Sequence, residues 1–414
     1  MQQFPSGFLW GTATAAHQVE GGNTASDCWA LEMAEGSIFA EPSGDACDHY
    51  HRYADDIALL KRLGFGAYRF SIEWARIQPE EKFFSAAALD HYRRVLGTCR
   101  EHGIAPIVTF HHFTSPLWFT KDGGWLEARA ADRFARYCER AARALGDLIG
   151  HVCTINEANL PLMITRHSEL ARGAPFRPSR RIGDVARGLG GDPERFGSFL
   201  FADANKTTPN FLAAHKKARE AIKSAGCTAP VGITLALQDY HAEPGGEAMT
   251  AALDRHINGQ FLEAMRCDDF VGVQAYSRTR VGADGPLPAP PGAEVTQMGY
   301  EFYPEALEAT IRNAAKVSGC PILVTENGIG TPDDTRRIAY TQRALEGVQR
   351  CLAGGIDVRG YIHWSMLDNF EWTQGYRPKF GLIAVDRATQ ARTPKPSAVW
   401  LGEIAKRNAL TPAA

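Results

Sequence analysis

Eight short runs of apolar and β-branched residues recur along the chain, each leading through a polar turn into a stretch of helical periodicity. The runs are Phe8–Ala15, Ala67–Trp74, Ile104–Phe110, Val152–Ile155, Val231–Leu237, Phe270–Tyr276, Ile322–Thr325 and Gly360–Met366. Several are almost continuous in Val, Ile, Leu, Phe and Tyr, the pattern of strands buried on both faces. Between them apolar residues step by threes and fours. Tyr53, Ile57 and Leu60 precede Gly64; Phe134, Cys138, Ala141, Leu145 and Leu148 form a second stripe; Ile338, Leu345, Val348 and Leu352 precede Gly354 and Gly355. Eight strands alternating with helices predict either a (β/α)8 barrel or a large doubly wound sheet. A dinucleotide-binding sheet needs a glycine-rich turn after its first strand, and the chain has neither that fingerprint nor a P-loop. The prediction is therefore an α/β protein, one (β/α)8 TIM barrel spanning residues 1–414, with its active site at the C-terminal ends of the strands.

No Ser/Pro-rich linker divides the chain. The least regular stretch, 166–210, is glycine-rich and holds Arg166, Arg172, Arg177, Arg180, Arg181, Arg187 and Arg195; it is predicted as a long loop with a short helix after the fourth strand. A Pro-rich loop, Pro286–Gly292, follows the sixth strand. The charge balance, 45 Lys+Arg against 47 Asp+Glu, lacks the basic excess of a nucleic-acid partner. Met1 to Phe8 lacks the basic start and apolar run of a secretory signal, and no stretch approaches a membrane span. The nine cysteines are odd in number, scattered and without a CxxC, which predicts reduced thiols in a cytoplasmic protein rather than a zinc site.

The ends of the predicted strands carry the chemistry. The fourth ends in Thr154-Ile155-Asn156-Glu157 and the seventh in Thr325-Glu326-Asn327-Gly328. A carboxylate at the mouth of a buried apolar strand must be paired, hydrogen-bonded or used. Either could simply meet an arginine, as Arg69 at the end of the second strand could meet Glu326. Two carboxyls converging across one barrel mouth are also what a glycosidase needs: one protonates the leaving oxygen, the other attacks the anomeric carbon. The run Trp364–Trp372 adds Trp364, Glu371 and Trp372, indole platforms beside a bidentate acceptor, which suit the apolar faces and hydroxyl edges of a sugar. His111 and His112 follow the third strand; adjacent strand residues face opposite ways, so they predict a neutral hydrogen-bonding role for one of them and not a shared metal.

Together these segments resemble glycoside hydrolase family 1, the retaining β-glucosidases, from Phe4 to about Ile404 and in the family's order. The blocks are Phe8-Leu9-Trp10-Gly11 with Ala13–Gly21; Asp48–Tyr53 leading to Tyr68–Trp74; His112-Phe113 with Pro116; the two glutamate motifs; and Trp364–Trp372 continuing to Arg392-Thr393-Pro394-Lys395. The resemblance implies Glu157 as acid/base and Glu326 as nucleophile. It implies Gln18, His112, Asn156, Glu371 and Trp372 as sugar contacts, Arg69 and Tyr276 as flanks that keep Glu326 ionised, and Trp364 as a platform near the aglycone. It implies hydrolysis of small β-glucosides through a covalent glycosyl-enzyme, with no metal or cofactor. Glu371 argues against the phospho-β-glucosidase branch, which has Ser there to receive the phosphate. A transglycosylase, a broader galactoside- or fucoside-cleaving enzyme and an inactive sugar-binding barrel are the alternatives, and monomer or homo-oligomer stays open. The chain departs from the family at Ala158, where Pro is usual, at Gln274-Ala275-Tyr276, where Asn usually precedes the Tyr, at Phe113, where Trp is common, and in a short Phe261–Asp269 connection. These departures and the basic stretch are expected to bear on the aglycone, with an acidic or bulky one suggested by the arginines.

Overall fold

The structure is a computed structural model that describes residues 2–177 and 179–410. Eight parallel strands close into a barrel in sequential order: β1 Leu9–Ala13, β2 Ala67–Ser71, β3 Ala105–His111, β4 His151–Ile155, β5 Val231–Ala236, β6 Phe270–Gln274, β7 Ile322–Asn327 and β8 Val358–Trp364. Each lies within one of the predicted runs or is shifted from it by a residue or two. The strands β2, β5, β6 and β7 are buried at every residue, which is why their sequences run apolar rather than alternating.

The helices pack outside the barrel on the predicted stripes. Helix α1, His49–Leu63, buries Ile57 and Leu60 and stops at Gly64, whose φ of 109° lies in the left-handed region open to glycine. Helix α2, Ala130–Leu145, buries Phe134, Cys138, Ala141 and Leu145 but ends one turn before Leu148, which the stripe had included. A two-stranded pairing of Gln2–Gln3 with Ala409–Leu410 brings the two ends of the described chain together.

The stretch 166–210 is not the long loop that its composition suggests. It begins inside α3, Leu160–Arg172, and ends inside α5, Ala204–Ser224, with α4, Arg180–Gly188, between them. Ser179 caps α4 by accepting from the Ile182 amide, and Ile182, Val185 and Ala186 form a short buried stripe against Leu31, Phe39 and Phe196. Three apolar residues among arginines and glycines are enough to order this helix once a partner surface is present, yet too few to announce it.

A small sheet rises from the C-terminal ends of β5 and β6. Asp239–Ala242 pairs in parallel with Arg278–Gly282, which pairs in antiparallel with Gly285–Leu287, so the start of the expected Pro-rich loop is a strand.

Candidate active site

A cavity of about 440 Å³ opens at the C-terminal ends of the barrel strands. Nine of the ten singled-out residues line it: Gln18, His112, Asn156, Glu157, Tyr276, Glu326, Trp364, Glu371 and Trp372. The tenth, Arg69, lies just beneath it on β2 and is wholly buried.

The two carboxyls differ in their surroundings. Glu326 accepts from Arg69 Nη1 at 2.6 Å through Oε1 and from the Tyr276 hydroxyl at 2.6 Å through Oε2. Burial pushes its pKa up, and these two donors hold it back. No described residue donates to the carboxyl of Glu157. Burial, then the charge of Glu326, push Glu157 well above the usual carboxyl range; Arg69 pulls the other way, and Glu371 adds a smaller push. Glu326 therefore ionises first, and its charge keeps the proton on Glu157. Glu157 has φ +47°, and Phe113 and Trp372, also on the cavity wall, have φ +69° and +52°. Left-handed backbone at three bulky residues around one cavity is strain that the surrounding packing holds in place.

Asn156 joins the two sides of the site. Its side-chain carbonyl accepts from Arg69 Nη2 at 2.5 Å, Thr234 Oγ1 at 3.0 Å and Gln274 Nε2 at 2.9 Å, and its amide lies 3.1 Å from His112 Nε2. Thr234 also accepts from the Glu157 backbone amide. Gln274 was not singled out as a site residue; its departure from the family's Asn belongs to this inner network, not to the outer rim. Phe113 likewise lies inward, with its ring 5.1 Å from that of Trp372. His112 and His111 do face opposite ways. His112 lines the cavity, whereas His111 bonds Ser115 and packs on Trp125; burial keeps both neutral, with His111 lowered to about 3.

The opposite wall is built from the end of β8 and the segments that follow β1 and β8. Gln18 Nε2 donates to the Phe370 carbonyl at 2.7 Å and to Asn369 at 3.0 Å, with Glu371 Oε2 at 3.4 Å. Trp364 donates through its indole nitrogen to Glu371 Oε1 at 3.3 Å and stacks near His112, so it belongs to the same wall. Burial raises the Glu371 carboxyl well above its usual range, with the Trp364 bond opposing and the Glu326 charge adding. The ring of Trp372 lies parallel to that of His17, 5.6 Å away. Among the described residues, three buried polar atoms of the cavity lining have no partner: Gln18 Oε1, His112 Nδ1 and Gln274 Oε1. A buried polar atom left open is costly unless a ligand or water satisfies it, so the inner cavity is shaped for a ligand with several hydroxyls. Among the described residues no group of three His, Cys, Asp or Glu side chains could hold a metal ion.

The arginines of 166–210 do not line the cavity, and the side chain of Arg180 is 93 % exposed. They give no basic wall for an acidic aglycone. The arginines that do line the outer cavity are Arg278 and Arg280.

The family model described as "Glycosyl hydrolase family 1" matches residues 1–278 and 289–410. The "Thermostable beta-glucosidase B" of Thermobispora bispora is 32 % identical over 465 aligned positions, covering 98 % of this chain and 91 % of that protein. The "Bifunctional beta-D-glucosidase/beta-D-fucosidase" of Bifidobacterium breve is also 32 % identical, with coverage of 96 % and 97 %. Among solved structures, that of beta-glycosidase BGL167 superposes with a TM-score of 0.94 at 56 % identity, covering 99 % of each chain.

Proposed function

The chain belongs to glycosyl hydrolase family 1, and from that premise we infer that it is a retaining β-glucosidase, releasing terminal β-D-glucosyl residues from small β-glucosides or oligosaccharides. The asymmetry of the two buried carboxyls carries the assignment of roles. Glu326, charged and held by Arg69 and Tyr276, attacks the anomeric carbon. Glu157, with its proton held by burial and by that charge, gives the proton to the departing oxygen. Once Glu326 is esterified its charge is gone, the pKa of Glu157 drops, and Glu157 serves as the base that activates water. Gln18, His112, Asn156, Glu371 and Trp372 hold the glucosyl ring, and the open polar atoms of Gln18 and His112 support that role. A broader β-glycosidase is the second reading, favoured by the similarity to a protein named for both glucosidase and fucosidase activities.

Initial-rate proton NMR of aryl β-glucoside cleavage tests the reading. The first glucose formed is the β-anomer, which then mutarotates; α-glucose as first product rejects the two-step mechanism.

Tyr276→Phe removes one hydrogen bond to the charged nucleophile. Such a bond is worth about 1.5–3 kcal/mol, so kcat/KM falls about 10- to 100-fold. The lost donor had lowered the pKa of Glu326. The acid limb of the pH–kcat/KM profile therefore moves to higher pH, and an acid limb that stays in place contradicts the role given to Tyr276.

The chain is read as one catalytic domain, supported by barrel strands drawn from Leu9 through Trp364. Nine unpaired thiols support a cytoplasmic location. No described helix is long and apolar enough to cross a membrane.

A further inference from the structure

The outer half of the cavity is built on a different principle from the inner half. Its polar side chains are already engaged with one another. Arg278 makes a two-pronged pair with Glu301 at 2.8 and 2.9 Å, Arg280 meets Glu243 at 2.6 Å, Thr279 donates to Gln238 at 3.1 Å, and His167 lies 3.2 Å from the Tyr240 hydroxyl. What they leave facing the cavity is largely apolar: Leu160 and Met163 from α3, Pro286 and Leu287 from the hairpin, and Met298 and Tyr300 from the loop that follows. Tyr300 and Leu287 are 44 % and 42 % exposed, and both line the cavity, so their open faces are available to a ligand there. Among the described residues Tyr300 has no ring partner, and its hydroxyl end lies close enough to Glu157 and Glu371 for their charges to act on it. The strand pair from Arg278 to Leu287 falls almost entirely in the gap, residues 279–288, that the family match skips. The hairpin thus lies outside the matched family frame, whereas Tyr300, Met298, Leu160 and Met163 lie within it.

We propose that the outer cavity binds an apolar ring-bearing aglycone rather than a second sugar, with Tyr300 as its platform and the 278–287 hairpin as the facing wall. The proposal rests on the glucosidase reading above. A sugar in the outer half would meet side chains whose hydrogen-bonding groups are largely shared with one another, and would place hydroxyls against the apolar wall with few free partners. A flat apolar aglycone meets the open faces of Tyr300, Leu287 and Met163 without disturbing those pairs.

The test compares 2-phenylethyl β-glucoside, cellobiose and methyl β-glucoside, none of which has an activated aryl leaving group. The expected kcat/KM for the phenylethyl glucoside exceeds that for cellobiose about tenfold, the worth of one well-stacked ring. Tyr300→Ala should lower the phenylethyl-to-cellobiose ratio about tenfold, through KM more than kcat, and Tyr300→Phe should keep it, since the ring and not the hydroxyl is invoked. Cellobiose cleaved as well as the phenylethyl glucoside overturns the proposal. So does a Tyr300→Ala variant that slows all three substrates in equal proportion. In either case, retention on an activated aryl glucoside leaves the glucosidase reading standing; an enzyme that cleaves no β-glucoside removes both.

Discussion

Glu326→Ala lowers kcat on an aryl β-glucoside by at least about 10⁴-fold, because the first displacement has no nucleophile. The same substitution destabilises the fold. Arg69 is wholly buried, and Glu326 is its only charged partner among the described residues. Removing one partner of a buried pair costs about 3–5 kcal/mol. Glu326→Gln leaves an oxygen for the Arg69 guanidinium to donate to, so it should melt above the alanine variant while remaining as inactive. The substitution also reads out the coupling between the carboxyls. The Glu326 charge is the largest electrostatic influence raising Glu157. Without it the pKa of Glu157 falls, which carbonyl-region infrared or carbon NMR of labelled glutamate would register as ionisation at lower pH. Unchanged titration of Glu157 in Glu326→Gln would mean that the two groups do not alternate charge through the cycle. Residual activity within tenfold of wild type would mean that Glu326 is not the nucleophile.

Much of the inner site could be read from the sequence because it is local to the strand ends. Asn156-Glu157 directly follows β4, Glu326 stands within β7, and Trp364 ends β8; once the strands are found, barrel closure brings these residues together. The Arg69–Glu326 pair was foreseeable for the same reason, both residues lying on strands at the mouth level. Gln274 was harder to see. It reads as the last residue of a buried strand, and only the geometry reveals that it shares the Asn156 carbonyl with Arg69 and Thr234. The outer wall depended on pairs that no local pattern announces. Arg278 with Glu301 and Arg280 with Glu243 are separated by 23 and 37 residues, and until those pairs are known the arginines look available to a ligand. The basic stretch misled for the opposite reason: its arginines are conspicuous in composition, but composition does not say which way a helix faces. Three buried residues of α4 orient that segment.

Glu157→Ala should behave in the opposite way to Glu326→Ala in stability and in chemistry. Glu157 is buried, and its carboxyl has no donor among the described residues. Removing it relieves an unfavourable burial, and Glu157→Ala should melt higher by about 1 kcal/mol of stability. The size of the gain depends on pH. A carboxyl whose folded pKa lies above its ordinary 4.5 makes wild-type stability fall as pH rises through and beyond that value. The advantage of the variant is therefore small below pH 4.5, where the group is protonated in both states, and widens above it. In the reaction, a phenol with a good leaving group departs without help, so the glycosyl-enzyme still forms; its hydrolysis lacks a base and slows by about 10²–10⁴-fold. The basic limb of the kcat/KM profile, which in the wild type reports loss of the Glu157 proton, disappears. Azide needs no base, occupies the place of water and attacks opposite Glu326, so it restores turnover and yields β-glucosyl azide. In Glu326→Ala the same anion would enter from the nucleophile's side and give the α-azide. The configuration of the azide thus assigns each carboxyl to its face of the sugar, and an α-azide from Glu157→Ala would exchange the two roles.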